Sequence, residues 1–170
     1  MYLPRLHFKE GTFMLSYDTQ ICLLSSKFQN DYPKAKYPEL LRKPQRPYTC
    51  LLVETHYDYY VGIPFRSDIK HSNAYKFNAA GSSRQNPGLD YTKIVIIQDD
   101  DYIDSQTPAV VDQNEYNELM KNLNRIVNES VKYVETYVNH MKGTRIIHPR
   151  EYSRRYAYST LMYFHKELGI

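Results

Sequence analysis

Two hydrophobic periods divide this chain, and they occupy different parts of it. Up to residue 103 the apolar runs are short and rich in β-branched residues. From residue 114 onward they recur every three or four positions. Tyr116, Leu119, Leu123, Ile126, Val127, Val131, Val134, Val138 and Met141 fall on one stripe of a helix. The spacing predicts one helix over 114–142. Asp112, three residues before Glu115, opens it as an acidic capping box, and Gly143 closes it. A second helix is expected over 149–168, starting at Pro149 and stopped by Gly169. Its first turns carry Arg150, Arg154 and Arg155, the pattern of a solvated face.

The strand signals lie earlier. Residues 14–24 alternate as a strand or strand pair. Residues 48–54 form a continuous apolar strand, and 57–65 form its antiparallel partner through a short turn, ending at Pro64. Residues 26–47 are a basic, proline-punctuated connection with a short helix expected over 38–43. Residues 66–90 read as loop around a short strand at 74–77, and 81–88 are turn-rich. A buried strand follows over 93–97, and Ile103 closes the sheet region after the acidic turn Asp99-Asp100-Asp101. Strands first and helices last imply an α+β domain on an antiparallel sheet.

The length of 170 residues fits one domain, 1–170. Charged residues make up 24% and hydrophobic residues 42%, which excludes a disordered chain. Cys22 and Cys50 are too few for a disulfide scaffold and sit in apolar strands, as buried structural thiols do. No apolar run reaches membrane-span or signal-peptide length, so a reduced cytoplasmic protein is expected. There are 18 tyrosines and no tryptophan. Such rings serve half-buried cores, protein interfaces and base-stacking platforms alike. A net charge of +3 permits a nucleic-acid partner without demanding one.

Most catalytic signatures are missing. There is no phosphate-binding glycine loop, no dinucleotide fingerprint and no nucleophile elbow around Ser67. The acids at 99–101 read as a solvated turn, and no metal or cofactor is expected. What remains is a strand end, Pro64-Phe65-Arg66-Ser67-Asp68-Ile69-Lys70-His71. Antiparallel pairing brings the start of the preceding strand, with Arg46, to the same sheet end as Arg66 and Ser67. Cations and a hydroxyl gathered there make a phosphate-sized site or a solvated basic loop. In the first case they suit RNA cleavage without metal, in which a 2′-OH attacks the neighbouring phosphorus.

Several segments carry a likeness to a known family. They are Arg46-Pro47-Tyr48 before a strand, Tyr60 to Ser67, Lys70-His71, Asn73 to Phe77, Gly88 to Lys93, and Asp112-x-x-Glu115-Tyr116 opening the long helix. In order and spacing they span roughly residues 12–142. The chain resembles the ToxN/AbiQ/TenpN endoribonuclease toxins of type III toxin–antitoxin systems, the TenpN branch above all. The resemblance implies a twisted antiparallel sheet or partial barrel similar to the MazF/Kid toxins. It implies metal-independent RNA cleavage to a 2′,3′-cyclic phosphate and a 5′-OH. The implied partners are cellular or phage RNA as substrate and a small tandem-repeat RNA antitoxin, in an RNA-bridged assembly. The implied roles are growth arrest and abortive phage defence.

By the same resemblance the family's serine matches Ser67, its lysine matches Lys70, and the basic residue before the central strand matches Arg46. Arginine stays protonated, so Arg46 would bind phosphate rather than take a proton. His71 is then expected to supply acid–base work. Arg66 stands where ToxN-like members carry threonine. Lys36, Lys43, Arg66, Lys76 and Arg84 are expected along the RNA path, with Tyr48 and Tyr91 as stacking rings. In the resemblance reading the arginines of 150–155 also face RNA antitoxin. A non-catalytic RNA-binding module is the alternative, and a protein–protein adaptor anchored by tyrosines is the third reading.

Overall fold

The computed structural model describes residues 17–41, 48–78 and 84–170. It shows an α+β architecture. In the described residues seven strands form one antiparallel sheet: β1 Thr19–Leu24, β2 Thr49–Glu54, β3 Tyr60–Arg66, β4 Ala74–Lys76, β5 Gly88–Asp90, β6 Val95–Ile97 and β7 Ile103–Asp104. The order β4-β5-β3-β2-β1-β7 runs from edge to edge and is not closed into a barrel.

β3 organises the sheet. One edge pairs with β2 in the register Cys50↔Pro64 to Glu54↔Tyr60. Its other edge is shared: β6 takes Tyr60 to Gly62, and β5 takes Phe65 and Arg66. The expected antiparallel pair is present, and the chain leaves β3 at Arg66, where β5 and β4 begin a second ladder. Residues 50–53 of β2 and 61–64 of β3 are buried without alternation, so both faces of these strands are covered.

One short helix lies between β1 and β2, and the other four follow the sheet in sequence. They are α1 Ser26–Asp31, α2 Gln113–Lys121, α3 Leu123–Lys142, α4 Pro149–Tyr156 and α5 His165–Leu168. Of the stripe expected over 116–141, Leu119, Leu123, Ile126, Val127, Val131 and Val134 are buried, Tyr116 and Val138 are half-buried and Met141 is exposed, while Tyr137, outside the expected stripe, joins the core. Asp112 caps α2 as expected, accepting from the backbone N–H of Asn114 and Glu115 at 2.9 and 3.1 Å.

Both long helices are nevertheless interrupted. The first breaks at Asn122, whose backbone sits at φ −117° and ψ 15°. Its side-chain Nδ2 donates to the Glu118 carbonyl at 2.9 Å, which competes with continued helix. The second ends at Tyr156. Ser159 then caps a 3-10 turn over Thr160–Tyr163, and Thr160 Oγ1 donates to the carbonyls of Thr92 and Ile94 instead of staying within a helix. In the proline-punctuated connection, the helix lies at Ser26–Asp31 rather than at 38–43. Ser25 caps it by accepting from Phe28 N–H at 3.3 Å. Residues 38–41 are not helical, and 42–43 lie outside the described residues. β5 falls where loop was expected, and Tyr91–Lys93 form a 3-10 turn before β6.

Candidate functional site

The loop after β3 is fixed before any of its side chains is considered. Asp68 N–H donates to the Gln85 carbonyl at 2.7 Å, and Ile69 N–H donates to the Asn86 carbonyl at 3.2 Å. Asp68 takes the left-handed conformation, φ 61°, one that aspartate tolerates better than most residues. Ile69 is buried and pins the loop to the core. Ser67 and Lys70 flank that anchor, Ser67 half-buried and Lys70 exposed. Among the described residues neither side chain makes a hydrogen bond.

Behind this loop lies Asp90, the last residue of β5, paired in register with Ala74 of β4. Its side chain is fully buried and is met by four donors. Oδ2 accepts from Arg66 Nη1 at 2.7 Å and lies 3.3 Å from His71 Nε2. Oδ1 accepts from the Thr92 N–H at 2.9 Å and from Thr92 Oγ1 at 2.6 Å. A carboxylate out of water needs such compensation. The network assigns the proton of neutral His71 to Nε2, which leaves Nδ1 as an acceptor. Nδ1 is buried and has no partner among the described residues.

Ser67, Lys70 and His71 therefore share the short loop that follows Arg66 at the end of β3, and Asp90 ties Arg66 and His71 together. Arg66 is about one third exposed and uses only Nη1 on Asp90, so its remaining donors are open to a ligand. Arg46 and Lys43 lie outside the described residues.

The other expected RNA contacts are dispersed. Lys76 and Lys36 are exposed, with Lys36 Nζ 5.7 Å from the ring centre of Tyr37. Arg84 is paired with the buried carboxylate of Glu115, its Nε 3.2 Å from Oε2. That guanidinium serves the start of α2. Tyr48 is half-buried, and its hydroxyl donates to the Lys93 carbonyl at 3.2 Å. Tyr91 is 5% exposed and donates to Glu129 at 2.8 Å. Burial and that hydrogen bond push its phenol well up, and a ring so enclosed offers no face to a base.

Asp90 and Thr92 are the site residues that sequence reasoning passed over, although both stand in the segment quoted for the resemblance. A usable signal was present. An acid between Leu89 and Tyr91, in a run with Ile94, Val95 and Ile96, has to find donors when the run is buried. A further, partly buried pair lies alongside: Lys93 Nζ donates to Glu39 at 2.7 Å and to the Tyr158 carbonyl at 3.1 Å.

Among the described residues no helix is long and apolar enough to cross a membrane. No protein-family model, no curated protein and no solved structure significantly matches the chain.

Proposed function

We propose that the chain is a metal-independent endoribonuclease and acts as the toxin of a type III toxin–antitoxin pair of the ToxN/AbiQ/TenpN kind. The observation that carries the reading is the loop holding Ser67, Lys70 and His71 next to Arg66, with His71 and Arg66 both held by buried Asp90. A guanidinium, an ammonium and a hydroxyl at one strand end match the non-bridging oxygens of a phosphodiester.

In this reading the 2′-OH attacks phosphorus. The 2′-O–P bond forms, the P–O5′ bond breaks, one proton leaves the 2′-OH and one reaches the 5′-oxygen. The products are a 2′,3′-cyclic phosphate and a 5′-OH. His71 moves protons once bound RNA uncovers its buried Nδ1, Ser67 orients the phosphate or the 2′-OH, and Lys70 with Arg66 stabilises phosphoryl charge. Arg46 is assigned to phosphate binding by the resemblance. The resemblance supports a small tandem-repeat RNA as antitoxin, a fold related to the MazF/Kid toxins, a cytoplasmic setting, and a role in growth arrest and phage defence.

The test is cleavage of a mixed RNA in EDTA, with end-group analysis of the products. Cleavage is expected to persist and to yield 5′-OH ends. Each of Ser67→Ala, Lys70→Ala and His71→Ala is expected to slow it by roughly 10²- to 10⁴-fold. Activity abolished by EDTA removes the mechanism. Salt-sensitive binding without cleavage leaves the RNA-binding module in its place.

A further inference from the structure

We infer that Arg150, Arg154 and Tyr158 form a second RNA site, which holds unpaired nucleotides flanking the phosphate bound at the Asp90 loop. The inference rests on the nuclease reading for the identity of the polyanion. Its location rests on hydrogen bonds.

Four hydrogen bonds tie this surface to the loop and to the Asp90 segment. Asn73 Nδ2 donates to the Arg154 carbonyl at 3.2 Å, and the Asn73 carbonyl accepts from Tyr91 N–H, next to Asp90, at 3.1 Å. Lys93 Nζ donates to the Tyr158 carbonyl at 3.1 Å, and Thr160 Oγ1 donates to the Thr92 carbonyl at 3.3 Å. Positions 154 and 158 are thus both fastened to the segment that contains Asp90 and Thr92.

The side chains they carry face water. Arg150 and Arg154 are exposed, and their i,i+4 spacing puts them on one face of α4. Neither has an acidic partner among the described residues. Arg155, by contrast, is paired with Glu151 at 3.0 Å. Tyr158 is 71% exposed. An isolated exposed tyrosine means little. One that follows Arg154 by four residues, just beyond the end of α4, and whose backbone is fastened to the segment carrying the phosphate-sized site has the composition of a single-strand platform. The ring takes a base face, and the cations take the phosphates on either side. A duplex, its bases already stacked, has no face to give the ring.

Anisotropy of a short labelled 2′-O-methyl RNA tests this, because that RNA lacks the attacking hydroxyl and stays intact. Tyr158→Ala is expected to weaken binding by roughly five- to a hundredfold, the range for losing one stacked base. Tyr158→Phe keeps the ring and is expected to bind as the wild type does. Arg150→Glu with Arg154→Glu is expected to weaken binding and to lower its salt slope by about one to two. All these side chains are exposed, so far-UV circular dichroism of the variants is expected to match the wild type.

Wild-type affinity in Tyr158→Ala overturns the inference. So does a phenylalanine variant as weak as the alanine one, or displacement of the RNA by phosphatidylserine vesicles. Ring-dependent binding without cleavage of unmodified RNA removes the nuclease reading and leaves this site. Cleavage with ring-independent binding does the reverse. No binding to any RNA removes both.

Discussion

His71 Nε2 lies 3.3 Å from Asp90 Oδ2, the oxygen that also accepts from Arg66 Nη1 at 2.7 Å. One buried carboxylate oxygen therefore orients an imidazole and a guanidinium together. It comes from β5, whereas both of its partners come from the end of β3 and the loop beyond. Such a group acts by fixing the tautomer and direction of the histidine, without touching the substrate itself.

Asp90→Asn tests that role. The amide still accepts through one oxygen, so the shape survives, but the charge that holds Arg66 and the preference for Nε2–H on His71 are lost. Cleavage is expected to fall by roughly 10²- to 10⁴-fold in turnover, with RNA affinity changed much less. Stability is expected to fall by about 1–3 kcal/mol, because a buried donor is left poorly paired. Full turnover in Asp90→Asn would remove Asp90 from the mechanism.

Gly88 decides whether Asp90 can be where it is. A Cβ at position 88 would clash with the Tyr75 carbonyl oxygen and lie 3.2 Å from the Lys76 Cα, both backbone atoms of β4. These cannot rotate away. Gly88→Ala is expected to cost about 1–3 kcal/mol by overpacking and to loosen the β4–β5 ladder that sets Asp90 opposite Ala74. Cleavage is expected to fall along with the urea midpoint. Gly143→Ala is the control, since no atom lies within 4 Å there and only the left-handed φ of 74° is strained. It is expected to cost about 1 kcal/mol at the α3 cap and to leave cleavage intact. Equal cleavage loss in both variants would mean that general instability, and not the ladder, is being measured.

The parts of the fold that were legible in the sequence are those set by periodicity. The pair β2–β3 and the core stripe of α3 each repeat one signal over many residues, and local pattern decides them. The breaks at Asn122 and after Tyr156 were not legible, because one competing hydrogen bond outweighs an otherwise helical stripe. β5 is three residues long, and its strand state comes from its partners Phe65, Arg66 and Tyr75 rather than from its own residues. The site divides in the same way. The loop residues at 66, 67, 70 and 71 are neighbours in sequence and could be read together. Asp90 joins them only through tertiary pairing, and Arg84 leaves them for Glu115 for the same reason.

Cys22 and Cys50 face each other across the β1–β2 ladder, and both are free and buried. Burial pushes the Cys22 thiol up to about 12 and raises that of Cys50 as well. Only the thiolate reacts. Iodoacetamide at mildly alkaline pH is therefore expected to modify neither cysteine in the folded protein and both in guanidinium chloride, as read by mass spectrometry. Alkylation of the native chain would show that the β1–β2 pair opens to solvent.

The tyrosines extend the same logic to alkaline pH. Burial pushes the phenol of Tyr156 up to about 12, and Tyr133, Tyr137 and Tyr59 are likewise raised well above the ordinary value of 10.0. In the unfolded chain these groups ionise near 10. A raised folded value means that the unfolded state gives up its protons first. Stability from this source is therefore whole below about pH 10 and is lost as pH rises through the folded values. Absorbance at 295 nm is expected to rise in two phases. The buried set is expected to ionise only in a second, steep step that coincides with loss of the far-UV signal. One smooth titration of all the tyrosines near pH 10, with the fold intact, would contradict the enclosed aromatic packing around α3 and α4.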